Sequence, residues 1–225
     1  MLKYGVPIID FFIPRFCPSC REKLPPRTFI CRYCLRQIKT ADKERILSEY
    51  IRKFSGSGVI KDFTSRFVFE KDKGLQHIIH SLKYEKKFLL GVYLGTLLGE
   101  TVARNFERYK IDFIVPVPLH HLKKVEREFN QSYYIAKGLS RVTGIKINNS
   151  LVRRKRYTAS QTTMNISERE DNIRGAFVPG KRLSGENLLI VDDVITTGST
   201  VKECGRILMK AGAGSIYAAS IAIAD

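Results

Sequence analysis

Acidic residues are scarce in this chain. Its 225 residues include 22 aspartates and glutamates against 39 lysines and arginines, a formal net charge of +17. So large an excess of one sign points to an anionic partner: nucleic acid, a phosphorylated substrate or an acidic membrane surface. Long apolar runs are missing as well. No stretch reaches the roughly eighteen apolar residues that a membrane span needs. The early run Val6 to Ile13 is short, contains Asp10 and has no small-residue cleavage pattern, so a signal peptide is not expected. No G-x-x-x-x-G-K-[ST] segment occurs, which removes P-loop nucleotide hydrolysis. Cysteine numbers only five, and with no secretory signal these point to a reducing compartment and the cytoplasm.

What is present is most informative at residues 187–200, NLLIVDDVITTGST. Leu188-Leu189-Ile190-Val191 reads as a buried parallel strand, with Asp192 and Asp193 at its end. A loop of hydroxyls around one glycine follows: Thr196, Thr197, Gly198, Ser199, Thr200. Val201, Cys204, Ile207 and Leu208 then fall on one face of a helix. Strand, acids, hydroxyl loop and helix together suit a phosphorylated sugar. Backbone N–H groups and the positive helix end face the phosphate, and the carboxylates reach vicinal hydroxyls or a divalent cation. A purely structural strand–loop–helix is the plainer alternative.

Cys17-x2-Cys20 and Cys31-x2-Cys34 form two knuckles separated by ten residues. Four thiolates with no open position suit structural zinc in a small ribbon. Two disulfides, a redox-active pair and an iron–sulfur cluster are the competing readings of the spacing. Arg15, Arg21, Lys23, Arg27, Arg32, Arg36 and Lys39 crowd this segment, either as a solvated face or as a surface toward nucleic acid. Cys204 sits on an apolar helix face and reads as core.

The remaining chain alternates strands and helices. Residues 41–62 read as a helical linker ending in a Ser-Gly turn, and 63–69 as a strand. A helical pattern over 74–109 breaks near Lys86–Phe88, and Gly91, Gly95 and Gly99 offer a flat face for close packing. Ile111 to Val117 is a strand ending in the rigid turn Pro116-Val117-Pro118. His120 and His121 follow, as bases or, more plainly, as turn residues. Gln131 to Val142 is a helix capped by Gly144. Leu151 to Arg156 reads as a strand, 157–174 as a polar lid, and Ser215 to Ala224 as the last strand. The expected fold is α/β: a mostly parallel sheet with helices on both faces, with ligands beyond the carboxyl ends of the strands. The expected organisation is a four-cysteine ribbon over 1–40, a linker over 41–62 and the α/β domain over 63–225.

The order LLIVDDVITTGST resembles the phosphoribosyl-pyrophosphate (PRPP) motif of type I phosphoribosyltransferases. The whole chain resembles the ComF family of competence proteins. The resemblance rests on Phe12-Ile13-Pro14 before the cysteines, Leu82-Lys83-Tyr84, and Val115 to His120 with Arg127 and Phe129-Asn130-Gln131. It continues through Thr158, Gln161, Arg169, Asn172 and Gly175-Ala176-Phe177 to Asp192–Thr200. It departs at Glu128, where the family usually has glycine, and at Thr162-Thr163-Met164, where a Gly-Leu pair is more usual. The resemblance implies a type I phosphoribosyltransferase fold that takes PRPP with magnesium. Asp192 and Asp193 would hold the ribose hydroxyls, and Thr196, Thr197, Gly198, Ser199 and Thr200 the 5′-phosphate. Val117 and Pro118 would line the pyrophosphate loop, with Lys83, Arg156 or Arg169 closing on it. It further implies work on single-stranded DNA in the cytoplasm during natural transformation, with a helicase-like competence partner; a homodimer is compatible. Tyr133, Tyr134 and Tyr157 are either base-stacking or core residues. Three roles stay open: a PRPP- and DNA-binding module, an active transferase with an undeclared acceptor, and a PRPP-sensing regulator.

Overall fold

The structure, a computed structural model, describes residues 15–71, 73–156 and 172–224. At its centre is a five-stranded sheet of β1 (Asp62–Phe69), β2 (Phe113–Pro116), β3 (Lys146–Ile147), β6 (Asn187–Ile195) and β7 (Ser215–Ala224). The order is β1-β7-β6-β2-β3, and every neighbouring pair is parallel. β4 (Val152–Arg154) and β5 (Phe177–Pro179) pair antiparallel to each other, outside that sheet. The helices are α1 (Arg32–Gln37), α2 (Lys43–Lys53), α3 (Gly74–Tyr84), α4 (Phe88–Asn105), α5 (His121–Arg127), α6 (Gln131–Thr143) and α7 (Ser199–Lys210).

Central parallel strands are covered on both sides, so they must be apolar along their length. All ten residues of β7 are buried. On one face Leu189, Val191 and Ala219 meet Leu75, Ile78 and Leu82 of α3, Leu94 and Leu98 of α4, and Ile135 and Leu139 of α6. On the other, Leu188, Ile190 and Ala218 meet Val201, Cys204 and Leu208 of α7, together with Val152, Phe177, Phe54 and Ile60. The glycine face of α4 packs directly on α6. A Cβ on Gly95 would lie 2.0 Å from the Ile135 carbonyl oxygen, and one on Gly138 would lie 2.0 Å from that of Val92.

The topology selects one crevice. The connection leaving β2 runs through α5 and α6 to β3 on one side, while that leaving β6 runs through α7 to β7 on the other. The two connections diverge between the carboxyl ends of β2 and β6, the switch point at which such sheets bind ligands.

Residues 15–40 share this core. Cys17, Leu24, Ile30, Cys31, Cys34 and Ile38 belong to the same buried cluster as α3 and α4. Ala41 N–H donates to the Arg66 carbonyl (3.1 Å) and Val68 N–H to that of Lys39 (2.9 Å), stitching the ribbon's exit to β1. The segment expected as a linker is also built in: Phe54 and Ile60 are core, and Lys53 Nζ donates to the Ala224 carbonyl at 2.9 Å.

Four local expectations change. The strand expected to stop before the acids runs on to Ile195, so Asp192 and Asp193 lie inside β6. The strand expected at 111–117 is shorter, Phe113–Pro116. The strand expected at 151–156 contracts to β4 and leaves the main sheet, because four consecutive cations cannot be covered on both faces. Lys123 and Arg127 lie on α5, a helix not foreseen; Leu122 and Val125 are exposed, so its sequence carries no core-facing stripe. Of the expected lid, residues 157–171 lie outside the described residues.

Candidate functional site

The acid pair sits where β6 changes face. Leu189, Val191 and then Val194 pack on the α4–α6 side, while Leu188, Ile190 and then Ile195 pack on the α7 side. Strict alternation would send Asp192 and Asp193 to opposite faces. The shift of one residue lets both carboxylates gather over the first turn of α6. Asp192 Oδ1 accepts the Asp193 N–H (2.9 Å) and the Ser132 hydroxyl (2.9 Å). Asp193 Oδ1 accepts the Val194 N–H at 2.7 Å. Asp193 Oδ2 pairs with Lys83 Nζ at 2.9 Å and accepts Gln131 Nε2 at 3.4 Å.

The two acids are electrostatically unlike. Burial acts upward on both. On Asp193 the Lys83 ammonium outweighs it and holds the carboxyl below the usual range. On Asp192 the neighbouring Asp193 charge adds to burial and pushes the carboxyl up to about 7. Cations surround the pair. Burial first, then the charges of Arg154 and Arg127, lower Lys123. Arg154 lies with its guanidinium 5.3 Å from the centre of the Phe177 ring and within reach of the Asp192 charge.

The hydroxyl loop closes the crevice at the start of α7. Gly198 takes φ +74°, and a Cβ there would also sit 2.8 Å from the Phe54 ring, so both backbone and packing require glycine. Thr197 Oγ1 and Ser199 Oγ lie 2.8 Å apart, and Ser199 N–H reaches Thr197 Oγ1 at 3.4 Å. Across the crevice the Val117 N–H donates to the Val191 carbonyl (2.9 Å), and Asn130 Nδ2 donates to the Val117 carbonyl (3.0 Å). Asn130 also caps α6 by accepting the Ser132 N–H at 3.0 Å. The Val117–Pro118 turn is thereby held beside the acids.

The fold thus brings Lys83 into direct contact with Asp193, next to Asp192, with Val117, Pro118 and the Thr196–Thr200 loop at the same end of the sheet. Arg156 does something else: its guanidinium donates to the carbonyls of Asn172 (2.8 Å) and Arg174 (2.9 Å), clasping the chain that enters β5. His120 is buried, accepts the Leu122 N–H at 3.4 Å and caps α5; burial first, then the His121 charge, lowers it. Tyr157, Thr158, Gln161 and Arg169 lie outside the described residues. Sequence reasoning missed Gln131 and Ser132 as site residues. Their signal was two polar side chains in the first turn of a helix that starts at the ligand edge.

The four ribbon cysteines converge. All four sulfurs lie within 4.8 Å of one another, and Cys20 Sγ and Cys31 Sγ are 3.7 Å apart. A tetrahedron with metal–sulfur bonds of about 2.3 Å has edges of about 3.8 Å, so the quartet fits one metal such as zinc. Cys34 N–H donates to Cys31 Sγ at 3.4 Å, the backbone support expected of a knuckle. No disulfide joins them.

A phosphoribosyl transferase domain model matches residues 130–224, which include Gln131, both acids and the hydroxyl loop. Competence protein F of Haemophilus influenzae is 29% identical over 207 residues, 89% of this chain and 81% of that one. Over most of its length the chain is thus similar to competence proteins of the ComF family. Competence protein ComFC of Bacillus subtilis is 26% identical, over 88% of this chain and 79% of its own. A DNA utilization protein of Escherichia coli is 35% identical over 63% of this chain and 64% of its own. At Glu128, where the resemblance leads one to expect glycine, the backbone still takes φ +64°. No helix among the described residues is long and apolar enough to cross a membrane.

Proposed function

We propose that this protein binds PRPP in the crevice between β2 and β6 and carries single-stranded DNA on an adjoining face, acting on incoming DNA in the cytoplasm. The observation that carries the PRPP reading is the pairing of Lys83 with Asp193 and of Ser132 with Asp192 at the switch point, on the strand that leads into the Thr197–Gly198–Ser199 loop. The carboxylates suit the ribose hydroxyls, the loop and the start of α7 suit the 5′-phosphate, and Lys83, Lys123 and Arg127 suit the pyrophosphate. Magnesium held by Asp192 and Asp193 would neutralise charge on the bound pyrophosphate. With Asp193 ionised against Lys83 and Asp192 raised to about 7, the pair offers acceptor oxygens to sugar hydroxyls and ligand oxygens to a cation.

The DNA reading rests on the net charge of +17 and on an aromatic–cation array beside the crevice. Phe88 and Tyr134 rings lie 5.2 Å apart, Tyr134 and Tyr133 5.7 Å apart, and Lys137 Nζ sits over both tyrosines at 5.2 and 5.3 Å. Arg127 lies over Tyr84 at 5.3 Å. Phe88 and Tyr84 are 44% and 52% exposed, so bases have ring faces to stack on. The relatives' names, competence and DNA utilization proteins, agree with this use.

The test is calorimetry with PRPP and fluorescence anisotropy with a labelled oligothymidylate. Asp192→Asn combined with Asp193→Asn abolishes PRPP binding and leaves DNA affinity within about threefold. Unchanged PRPP affinity in that variant defeats the pocket assignment. Isotopic pyrophosphate exchange across a panel of bases separates the binding module, which stays silent, from a transferase, which exchanges.

A further inference from the structure

A groove of about 1280 Å³ runs along the β1 edge of the sheet, away from the crevice. α2 forms one wall and the end of α4 the other, and no crevice residue lines it. Pockets that enclose a small ligand measure about 300–1,000 Å³, so this groove suits a length of chain. Its charges do not balance. Lys43, Lys61, Arg66 and Arg104 line it, and no carboxylate among the described residues pairs with them. Arg66 gives only Nη1 to the Thr101 hydroxyl, at 3.3 Å. Arg104 Nε donates to the Glu100 carbonyl at 3.1 Å and offsets the negative end of α4. Two of the lining acids are already committed. Asp42 caps α2 by accepting the Arg45 N–H at 2.8 Å. Asp62 accepts the Phe63 N–H and the Tyr109 hydroxyl, both at 2.7 Å, and lies 3.4 Å from Arg108. Only Glu107 remains to oppose four cations.

The apolar part of the groove separates a peptide from a nucleic acid. Bases need open ring faces, and the rings here are taken. Tyr109 stacks on Tyr217 at 4.4 Å, with Arg108 4.8 Å from its centre. Phe106 is buried, and the Tyr50 hydroxyl donates to the Ile60 carbonyl. What stands open is aliphatic: Leu47 on the groove wall and Ile51 one turn further along α2, each 59% exposed. We propose that this groove docks an extended acidic segment of a partner protein, with its carboxylates on Lys43, Lys61 and Arg66 and an apolar side chain on Leu47 and Ile51. This reading is independent of what the crevice binds. A partner at the β1 edge leaves the crevice between β2 and β6 open.

The experiment titrates the full-length, metal-loaded protein by fluorescence anisotropy with a labelled peptide of repeating Asp-Asp-Leu and with its Asp-Asp-Ser counterpart. Salt is held at about 0.15 M, where charges that are not in close contact are screened. The leucine peptide should bind at least about tenfold more tightly than the serine one, the worth of one buried leucine. Lys43→Glu with Lys61→Glu, both at exposed positions, should weaken it at least about tenfold. Leu47→Ser with Ile51→Ser should bring the two peptides to equal affinity. PRPP affinity and a single cooperative melt should persist in both variants; Lys61→Gln alone replaces the charge reversal if that variant does not melt cooperatively. Absence of binding, equal affinity for the two peptides in the wild type, or unchanged affinity in the folded charge variant overturns the proposal. Displacement of the peptide by an oligothymidylate also overturns it, and gives the groove to nucleic acid.

Discussion

Asp192 and Asp193 are neighbours in sequence with opposite electrostatic fates, and the difference is measurable. Asp192 is raised to about 7, against an unfolded value near about 3.9. A folded-state pKa above the unfolded one means that the native protein holds the proton more tightly, so this carboxyl costs stability as pH rises through the window between them. Asp193 is depressed, so its contribution is present above its unfolded pKa and lost as pH falls through its folded one. At pH 8, Asp192→Asn should therefore raise stability by about 1 kcal/mol, whereas Asp193→Asn should lower it by stranding Lys83, in urea unfolding. The same titration predicts that PRPP affinity rises between about pH 6 and 8, a rise largely lost in Asp192→Asn. A pH-independent affinity in the wild type would contradict the assignment. Glu128 offers a second residue-scale test. Its φ of +64° costs a residue with a Cβ about 1–2 kcal/mol, and its exposed pairing with Lys86 returns little. Glu128→Gly should gain about 0.5–1 kcal/mol with site affinity unchanged, read as a higher melting temperature.

At the scale of elements, what was legible depended on periodicity. The apolar runs of β6 and β7, the glycine face of α4 and the Gly144 cap were plain because burial dictates residue type there. α5 was not, since it buries no stripe, and at β4 the apolar start Leu151-Val152 suggested a longer strand, although the cations that follow cannot be covered on both faces. The change of face at Asp192–Asp193 was also invisible: a run of apolar residues fits either face of a covered sheet. Contact between Lys83 and Asp193, 110 residues apart, follows only from packing α3 and α6 on that sheet. The α4–α6 seam carries the element-scale prediction. Gly95→Ala places a methyl against the Ile135 carbonyl, and backbone cannot yield as a flexible side chain can. The variant should lose about 3 kcal/mol or more. PRPP affinity should fall with it, because α6 carries Gln131 and Ser132 to the acids. A thermal melt within about 2 °C of wild type would show that the helices do not need their close approach.

At the scale of the whole molecule, the cysteine cluster and the crevice are joined through α3. Cys17, Cys31 and Cys34 share a core with Leu75, Ile78 and Leu82. A Cβ on Gly74, at the start of α3, would lie 2.5 Å from Ser19 Oγ inside the first knuckle. Arg21 of the ribbon lies 3.9 Å from Glu85 at the other end of the helix. Lys83, on the last turn of α3, is the residue that reaches Asp193. A metal held by the four cysteines would thus support one wall of the crevice as well as its own loop. In the metal-free ribbon the sulfurs titrate unequally. Burial acts upward on Cys17, but backbone N–H groups of Cys20, Cys31 and Ser19 bring it to about 7. Cys31, in spite of the Cys34 N–H, is pushed up to about 12 by burial and the neighbouring sulfurs. Metal entry must displace the protons that remain, so loading should release protons at neutral pH and weaken below about pH 6. Chelation, or Cys31→Ser, should release one zinc per chain, lower the melting temperature and weaken PRPP binding at least about fivefold through disordering of Lys83. Lys83→Met in the metal-loaded protein should reproduce the affinity loss without the loss of metal. If chelation melts the ribbon yet leaves PRPP affinity intact, the ribbon and the pocket are energetically separate, and the shared core carries no coupling between them.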